Sequence, residues 1–199
     1  MGRPAARDRK PYDAALLTDI AMSVFAERGY DGASLEDIAS AAGIAKSSVY
    51  YHVAGKEDLL ARGLERGFRS TFDLLEAEES ADGPSIERLR NVLLRMTQGL
   101  LDDVVGVKVL LSLRGMTPTE QWARARRREL NRRVAGLVRG AIDEGDVRSE
   151  LEPELVTLLL MGMLASVTDW YTEAGDHDVD QIVDAFLAVA LRGIEPASP

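Results

Sequence analysis

The 199-residue chain should fold as an all-α protein in two parts: an N-terminal three-helix head with a helix-turn-helix, and a larger C-terminal helical body. Three observations predict this. Apolar residues recur at helical spacing nearly throughout. No stretch alternates as a half-buried strand does, and β-branched clusters are few. Glycine breaks come close together up to residue 56 and far apart after it.

From Tyr12 to Arg28, the residues Ala15, Leu16, Ile20, Val24 and Phe25 fall near helical spacing, and Gly29 stops the helix. Ser34, with Asp37 three residues on, opens the second helix as a variant capping box. Leu35, Ile38, Ala39 and Ala42 give that helix its buried side, and Gly43 ends it. A short third helix is expected over Lys46–His52. After the break "AGKE", a long helix runs from about Glu57 to Glu78. "SADGPS" is a turn cluster in which Pro84 suits a helix start. Further helices are expected at roughly 85–102, 104–114, 118–144, 153–173 and 178–193. The domains read as a flexible basic arm at 1–10, a helix-turn-helix unit at 11–56, and a body at 57–199.

Composition excludes several classes. A hydrophobic share of 46% is too high for a disordered chain. With no cysteine there is no disulfide framework, thiolate metal site or cysteine nucleophile. "MGRPAARDRK" lacks the apolar region of a signal peptide. The run Leu155 to Thr168 is too short to span a bilayer. A soluble, cytoplasmic protein with no membrane partner is expected. The net charge of −9 is concentrated after residue 62. The head is close to neutral, so it can still meet phosphate locally. No phosphate loop, nucleophile elbow or dinucleotide fingerprint occurs, which argues against an enzyme. "DHDVD" begins like a calcium loop, but Gln181 stands where the glycine is needed. No metal site and no cofactor are expected.

The chemistry gathers in "GIAKSSVYYHVAGKEDLL", Gly43 to Leu60. Lys46, Ser47, Tyr50 and Tyr51 share one helical face at i, i+3 and i+4 spacing. Val49 and Val53 lie on the other side. The outward face offers a cation, hydroxyls and aromatic tips, the groups that reach phosphates and base edges. A turn with glycine between two helices is alone a weak sign of helix-turn-helix. Its second helix strengthens it.

The stretch "SLEDIASAAGIAKSSVYYHVAGKEDLL", with "FAERGYDGAS" before it, resembles the helix-turn-helix signature of the TetR family of transcriptional regulators over about residues 12–62. Two positions depart from the usual pattern. Ala45 stands where a Ser or Thr cap is common, and Val53 where phenylalanine is usual. The resemblance implies that Ser34 caps its helix and meets a phosphate. Lys46, Ser47 and Ser48 would approach base edges and backbone. Tyr50, Tyr51 and His52 would contact phosphates or thymine methyls, and Lys56 would hold a phosphate at a helix start. It implies double-stranded operator DNA as partner, a repressor by family default with an activator as the variant, and a homodimer formed through the last two helices. A helical interaction module that never meets DNA is the rival reading.

The body must be read on other features. The run Leu155–Thr168 is apolar nearly all round, so it should be covered on more than one side. The residues expected at the dimer interface are Leu158, Met161, Gly162, Ala165, Val183, Phe186, Leu187 and Ala190. An effector cavity is expected among Phe68, Phe72, Met96, Leu100, Trp122, Met163, Trp170 and Tyr171, because methionine and aromatic rings suit an adaptable apolar pocket. Six arginines, Arg124 to Arg133, share one helix. They form either a solvated face or a rim for phosphates. The stretch from Asp143 to Gly175 also looks like the C-terminal domain of TetR regulators of lipid, fatty-acid and steroid breakdown. Several of those respond to acyl-CoA thioesters, which makes a bulky apolar effector, possibly acyl-CoA, the expected ligand.

Overall fold

The computed structural model describes residues 13–172, 175 and 177–194. The basic arm expected at 1–10 lies outside them. The described residues form helices and turns without a strand: α1 (Ala14–Arg28), α2 (Leu35–Ala42), α3 (Lys46–Val49), α4 (Lys56–Glu79), α5 (Ser85–Asp102), α6 (Val104–Ser112), α7 (Pro118–Glu144), α8 (Pro153–Trp170) and α9 (Val179–Arg192). Two compact units part between Glu65 and Arg66. The boundary thus falls inside α4, nine residues after the glycine break that marks it in the sequence. The first turns of α4 belong with the head: Leu59, Leu60 and Leu64 are buried, and Gly63 lies against the Met22 side chain.

In the first unit, Leu17, Ala21 and Phe25 of α1, Ile38 and Ala39 of α2, and Val49 of α3 are buried. Phe25 meets Tyr30 edge-on at 5.2 Å. The α2 start is the expected capping box. Ser34 Oγ accepts the Asp37 N–H at 3.2 Å, and Asp37 Oδ2 accepts the Ser34 N–H at 2.9 Å. Arg28 of α1 pairs with the same carboxylate. The Ser34 hydroxyl, the Ser34 N–H and the Arg28 charge hold Asp37 below the usual carboxylate range. Gly43 ends α2 in the left-handed region (φ 65°), and the Ile44 N–H closes the turn on Ala39 C=O at 3.0 Å.

The second unit has its core among α5, α7, α8 and α9, with Leu89, Val92, Leu93, Val134, Val138, Leu160, Phe186 and Leu191 buried together and Leu75 of α4 against them. Several helix boundaries have an identifiable cause. Pro84 has no side chain that can cap α5, so Glu144 at the end of α7 does it instead. Its carboxylate accepts the Ser85 N–H at 2.6 Å and the Ser85 hydroxyl at 2.7 Å. Gly145 (φ 87°) closes α7. Asp178 caps α9, accepting from Gln181 N–H at 2.8 Å. α8 ends at Trp170 and α6 at Ser112, each slightly short of the expected span.

The α6–α7 turn is built around one buried carboxylate. Glu120 Oε1 accepts the N–H groups of Arg114 and Gly115 (3.0 and 3.2 Å), and Oε2 those of Met116 and Thr117 (3.1 and 2.9 Å). Burial raises its pKa, but the backbone donors of Thr117, Gly115 and Arg114 and the Thr117 hydroxyl outweigh this and hold it low. Glu120→Gln puts an amide NH2 against two N–H donors, so it should cost about 1–3 kcal/mol at neutral pH. A carboxylate lowered in the folded state contributes stability above its unfolded value and loses it as pH falls through the folded one. Urea unfolding should therefore show the gap between wild type and Glu120→Gln closing below about pH 4. A gap of constant size across pH 3–7 would show that the charge is irrelevant.

Candidate nucleic-acid interface

The recognition segment is shorter as an α-helix than its sequence suggests. α3 covers only Lys46–Val49, and Ala45 at its start provides no side-chain cap. Beyond it the chain tightens: the Tyr51 N–H reaches Ser48 C=O at 3.3 Å and the His52 N–H reaches Val49 C=O at 3.0 Å. These i→i+3 bonds have the geometry of a 3₁₀ turn. The segment is held from beneath. Val49 and Val53 are both buried.

What the segment presents outward agrees with the face read from its spacing. Tyr50 is 56% exposed and Tyr51 87% exposed. Ser34, Lys46 and Ser47 are exposed, and Ser48 and His52 half-buried. Tyrosine rings this open gain nothing from the head's own core, so they are available to a partner. Lys46 Nζ lies 3.4 Å from Glu36 Oε2, an exposed pair of small net worth that a phosphate can displace.

Lys56 is placed differently from the phosphate contact expected of it. Its ammonium does not point to solvent for a phosphate. It donates to the backbone carbonyls of Tyr30 (2.9 Å), Asp31 (3.4 Å) and Ala33 (3.0 Å), and it sits 4.6 Å from the centre of the Tyr30 ring. Three carbonyls at one turn leave acceptors that only a cation with several donors can satisfy together. Lys56 therefore braces the α1–α2 turn from the start of α4. Nothing in the one-dimensional spacing distinguishes a lysine facing DNA from one facing a neighbouring turn.

The body residues divide differently from expectation. Phe68, Phe72 and Trp122 do come together: Phe68 stands 5.4 Å from Trp122, edge to face, and 6.2 Å from Phe72. Leu100 is buried in the common core, with Met96, Met163 and Tyr171 packed against it. Trp170 does not join them, being 52% exposed at the end of α8. A separate open cleft of about 480 Å³ lies between α6 and α8, lined by Lys108, Ser112, Gly162, Ala165 and Asp169 among others, and by none of the residues expected at the effector. The Gly162–Ala165 pair is its only sequence signal.

At the expected interface, Val183, Phe186 and Ala190 of α9 are buried in the protomer's own core, which removes them from the surface. Leu158 is exposed, Gly162 also, and Met161, Ala165 and Leu187 are half-buried. The apolar surface of α8 is instead Leu155, Leu158, Leu159 and Trp170, with Val179 and Val189 exposed on α9. The first four fall at i, i+3, i+4 and i+15, one side of the helix.

A glycine-turned helix pair under an open, hydroxyl-rich and aromatic face, followed by an all-helical body, defines a helix-turn-helix regulator. Comparison with known proteins agrees. Residues 17–62 match the model "Bacterial regulatory proteins, tetR family", and residues 82–194 match "Tetracyclin repressor-like, C-terminal domain". The chain belongs to the tetR family of bacterial regulatory proteins. A member of that family from Streptomyces coelicolor A3, SCO3833, is 41% identical with a TM-score of 0.84, covering 98% of this chain and 96% of its own. The transcriptional repressor KstR2 of Rhodococcus jostii is 28% identical over 92% of this chain and 90% of its own. The structure of KstR2 from Mycobacterium tuberculosis, 23% identical over 98% of this chain and all of its own, shares the fold with a TM-score of 0.84. The family consists of DNA-binding transcriptional regulators rather than enzymes. No helix among the described residues is long and apolar enough to cross a membrane.

Lys56→Met should lower the unfolding free energy by about 1–3 kcal/mol, because it strips a turn of its donors. Tyr51→Ala should stay within about 0.5 kcal/mol of wild type, as an exposed side chain without a partner in the fold. Urea denaturation compares the two, and equal stability of the Lys56 variant and wild type would return that lysine to the list of DNA contacts.

Proposed function

We propose that the protein is a ligand-responsive repressor that binds a roughly palindromic operator as a homodimer and is released by a bulky, largely apolar effector. The observation that carries the DNA half is the pair of exposed tyrosines, Tyr50 and Tyr51, next to Lys46 on a segment with buried valines beneath it. Ser34, Ser47, Ser48 and His52 complete the proposed contact surface. Two copies are proposed to join through the exposed apolar side of α8, with Leu155, Leu158 and Leu159 at its centre. One recognition segment per copy then implies two half-sites about one helical turn apart or slightly more.

The effector half is supported by the aromatic cluster Phe68–Phe72–Trp122, by the arginines beside it, and by what is known of proteins with this fold. AibR has been seen with isovaleryl coenzyme A and operator DNA (21% identical, TM-score 0.75, covering 89% of this chain). A Clostridium perfringens relative of similar fold is described as a putative fatty acid metabolism regulator. An acyl thioester is therefore the effector class proposed here. α4 contributes residues to both units and is the proposed mechanical link. A ligand shifts DNA affinity only through its different affinity for two arrangements of the protein.

Gel retardation on the duplex upstream of the protein's own reading frame tests the DNA half. Lys46→Ala should weaken binding and make its salt slope shallower by about one counterion. An affinity that does not respond to salt would favour an interaction module instead. Calorimetry with an acyl-CoA, with and without operator, tests the switch. Coupling of about 1–3 kcal/mol should appear as a 5–150-fold difference in ligand affinity, and identical affinities would make the thioester a bystander.

A further inference from the structure

α7 turns a continuous stripe toward the body interior. Glu120, Ala123, Val134, Leu137, Val138 and Ala141 are buried along it at helical spacing. Two polar residues interrupt this stripe. Arg127 follows Ala123 by four residues and precedes Val134 by seven, so it falls in the middle of the buried side, and Asn131 follows it one turn later. Both are half-buried. Neither side chain has a hydrogen bond or ion pair among the described residues, in contrast to most of its neighbours. Arg126 lies 3.7 Å above the Phe72 ring, Arg132 pairs with Glu129, Arg133 with Glu79, and Arg139 with Glu154. Arg124 donates to Arg114 C=O at 3.3 Å. Burial, and then the like charge of Arg124, push the Arg127 guanidinium below its usual value. A cation partly withdrawn from water and beside another cation is a favourable place for an anion to bind.

We propose that Arg127 and Asn131 are the seat for the anionic head of the effector, a carboxylate or phosphate on an apolar chain. The guanidinium fork donates to two oxygens of either group, and the Asn131 amide NH2 can donate to a remaining oxygen lone pair. Trp122, part of the aromatic cluster, precedes Arg127 by five residues, about 7.5 Å along the helix axis and about 140° round it, so the rings lie at a neighbouring face of α7 rather than beside the guanidinium. The proposal rests on the ligand-responsive reading above and refines it.

Thermal unfolding of the full chain, without DNA, tests the seat. The probes are sodium decanoate, decanoyl-CoA and uncharged decanol. Wild type should melt about 2–4 °C higher with an anionic probe and be unmoved by decanol. Arg127→Met, which keeps the stem volume, and Arg127→Gln should both lose that shift, while Arg128→Gln, at an exposed site, should keep it. Without ligand, Arg127→Met should melt at or above wild type, because an unanswered cation is gone. A shift with decanoate assigns the carboxylate; one with decanoyl-CoA alone assigns the phosphates of the nucleotide part. The seat is overturned if either Arg127 variant keeps the full shift, if wild type shows none, or if ligand-free Arg127→Met melts well below wild type, which would reveal a partner within the fold. Operator release failing while the shift persists would defeat the regulatory reading and leave the seat standing.

Discussion

A four-residue helix without a side-chain cap has no stability of its own, since nucleating a helical turn costs more than one turn returns. The segment that carries Tyr50 and Tyr51 therefore exists only because other parts of the head hold it. Val49 and Val53 anchor it from below. Gly43 in the left-handed conformation sets its direction from α2, and the Ser34–Asp37 box with Arg28 fixes α2 against α1. Lys56 completes the arrangement by tying the start of α4 to the α1–α2 turn. Val49 and Val53 are buried, whereas Tyr50 and Tyr51 are exposed. The outward side is free to be chosen for a partner because the inward side does all the holding.

The body solves a different problem, how to carry many arginines on a core-facing helix. α7 distributes them by partner. Arg133 makes a two-pronged contact with Glu79 at 2.8 and 2.5 Å, and that contact holds the Glu79 carboxylate below its usual range. Arg126 lies flat on Phe72, where guanidinium and ring attract each other and the stem covers apolar surface. Both contacts tie α7 to the body end of α4, the helix that also begins in the head. Arg127 is left over from this pairing, and Glu120 shows by contrast how the same helix handles a buried charge that belongs to the fold, with four backbone donors closing on one carboxylate.

The row of arginines thus divides among several roles rather than sharing a single one along its length. Arg132 is a solvated pair with Glu129, Arg128 is exposed, and Arg126 and Arg133 join helices. Spacing along one helix says which side chains share a face. It does not say which of them meets a carboxylate from a segment fifty residues away.

By itself the sequence determined the helices, most of their ends, the head-and-body order and the outward face of the recognition segment. These follow from local rules: glycine at helix ends, Ser34 as a cap, and apolar residues three and four apart. It also carried the family, because the head motif is a short contiguous pattern. Tertiary structure alone decided the rest. It turned Lys56 inward, put Val183, Phe186 and Ala190 into the protomer core, separated Trp170 from Phe68, Phe72 and Trp122, and replaced a missing cap on α5 with Glu144. Each of those outcomes depends on which side of one helix another helix covers. That is set by packing between segments distant in the chain, and periodicity within a single helix does not encode it.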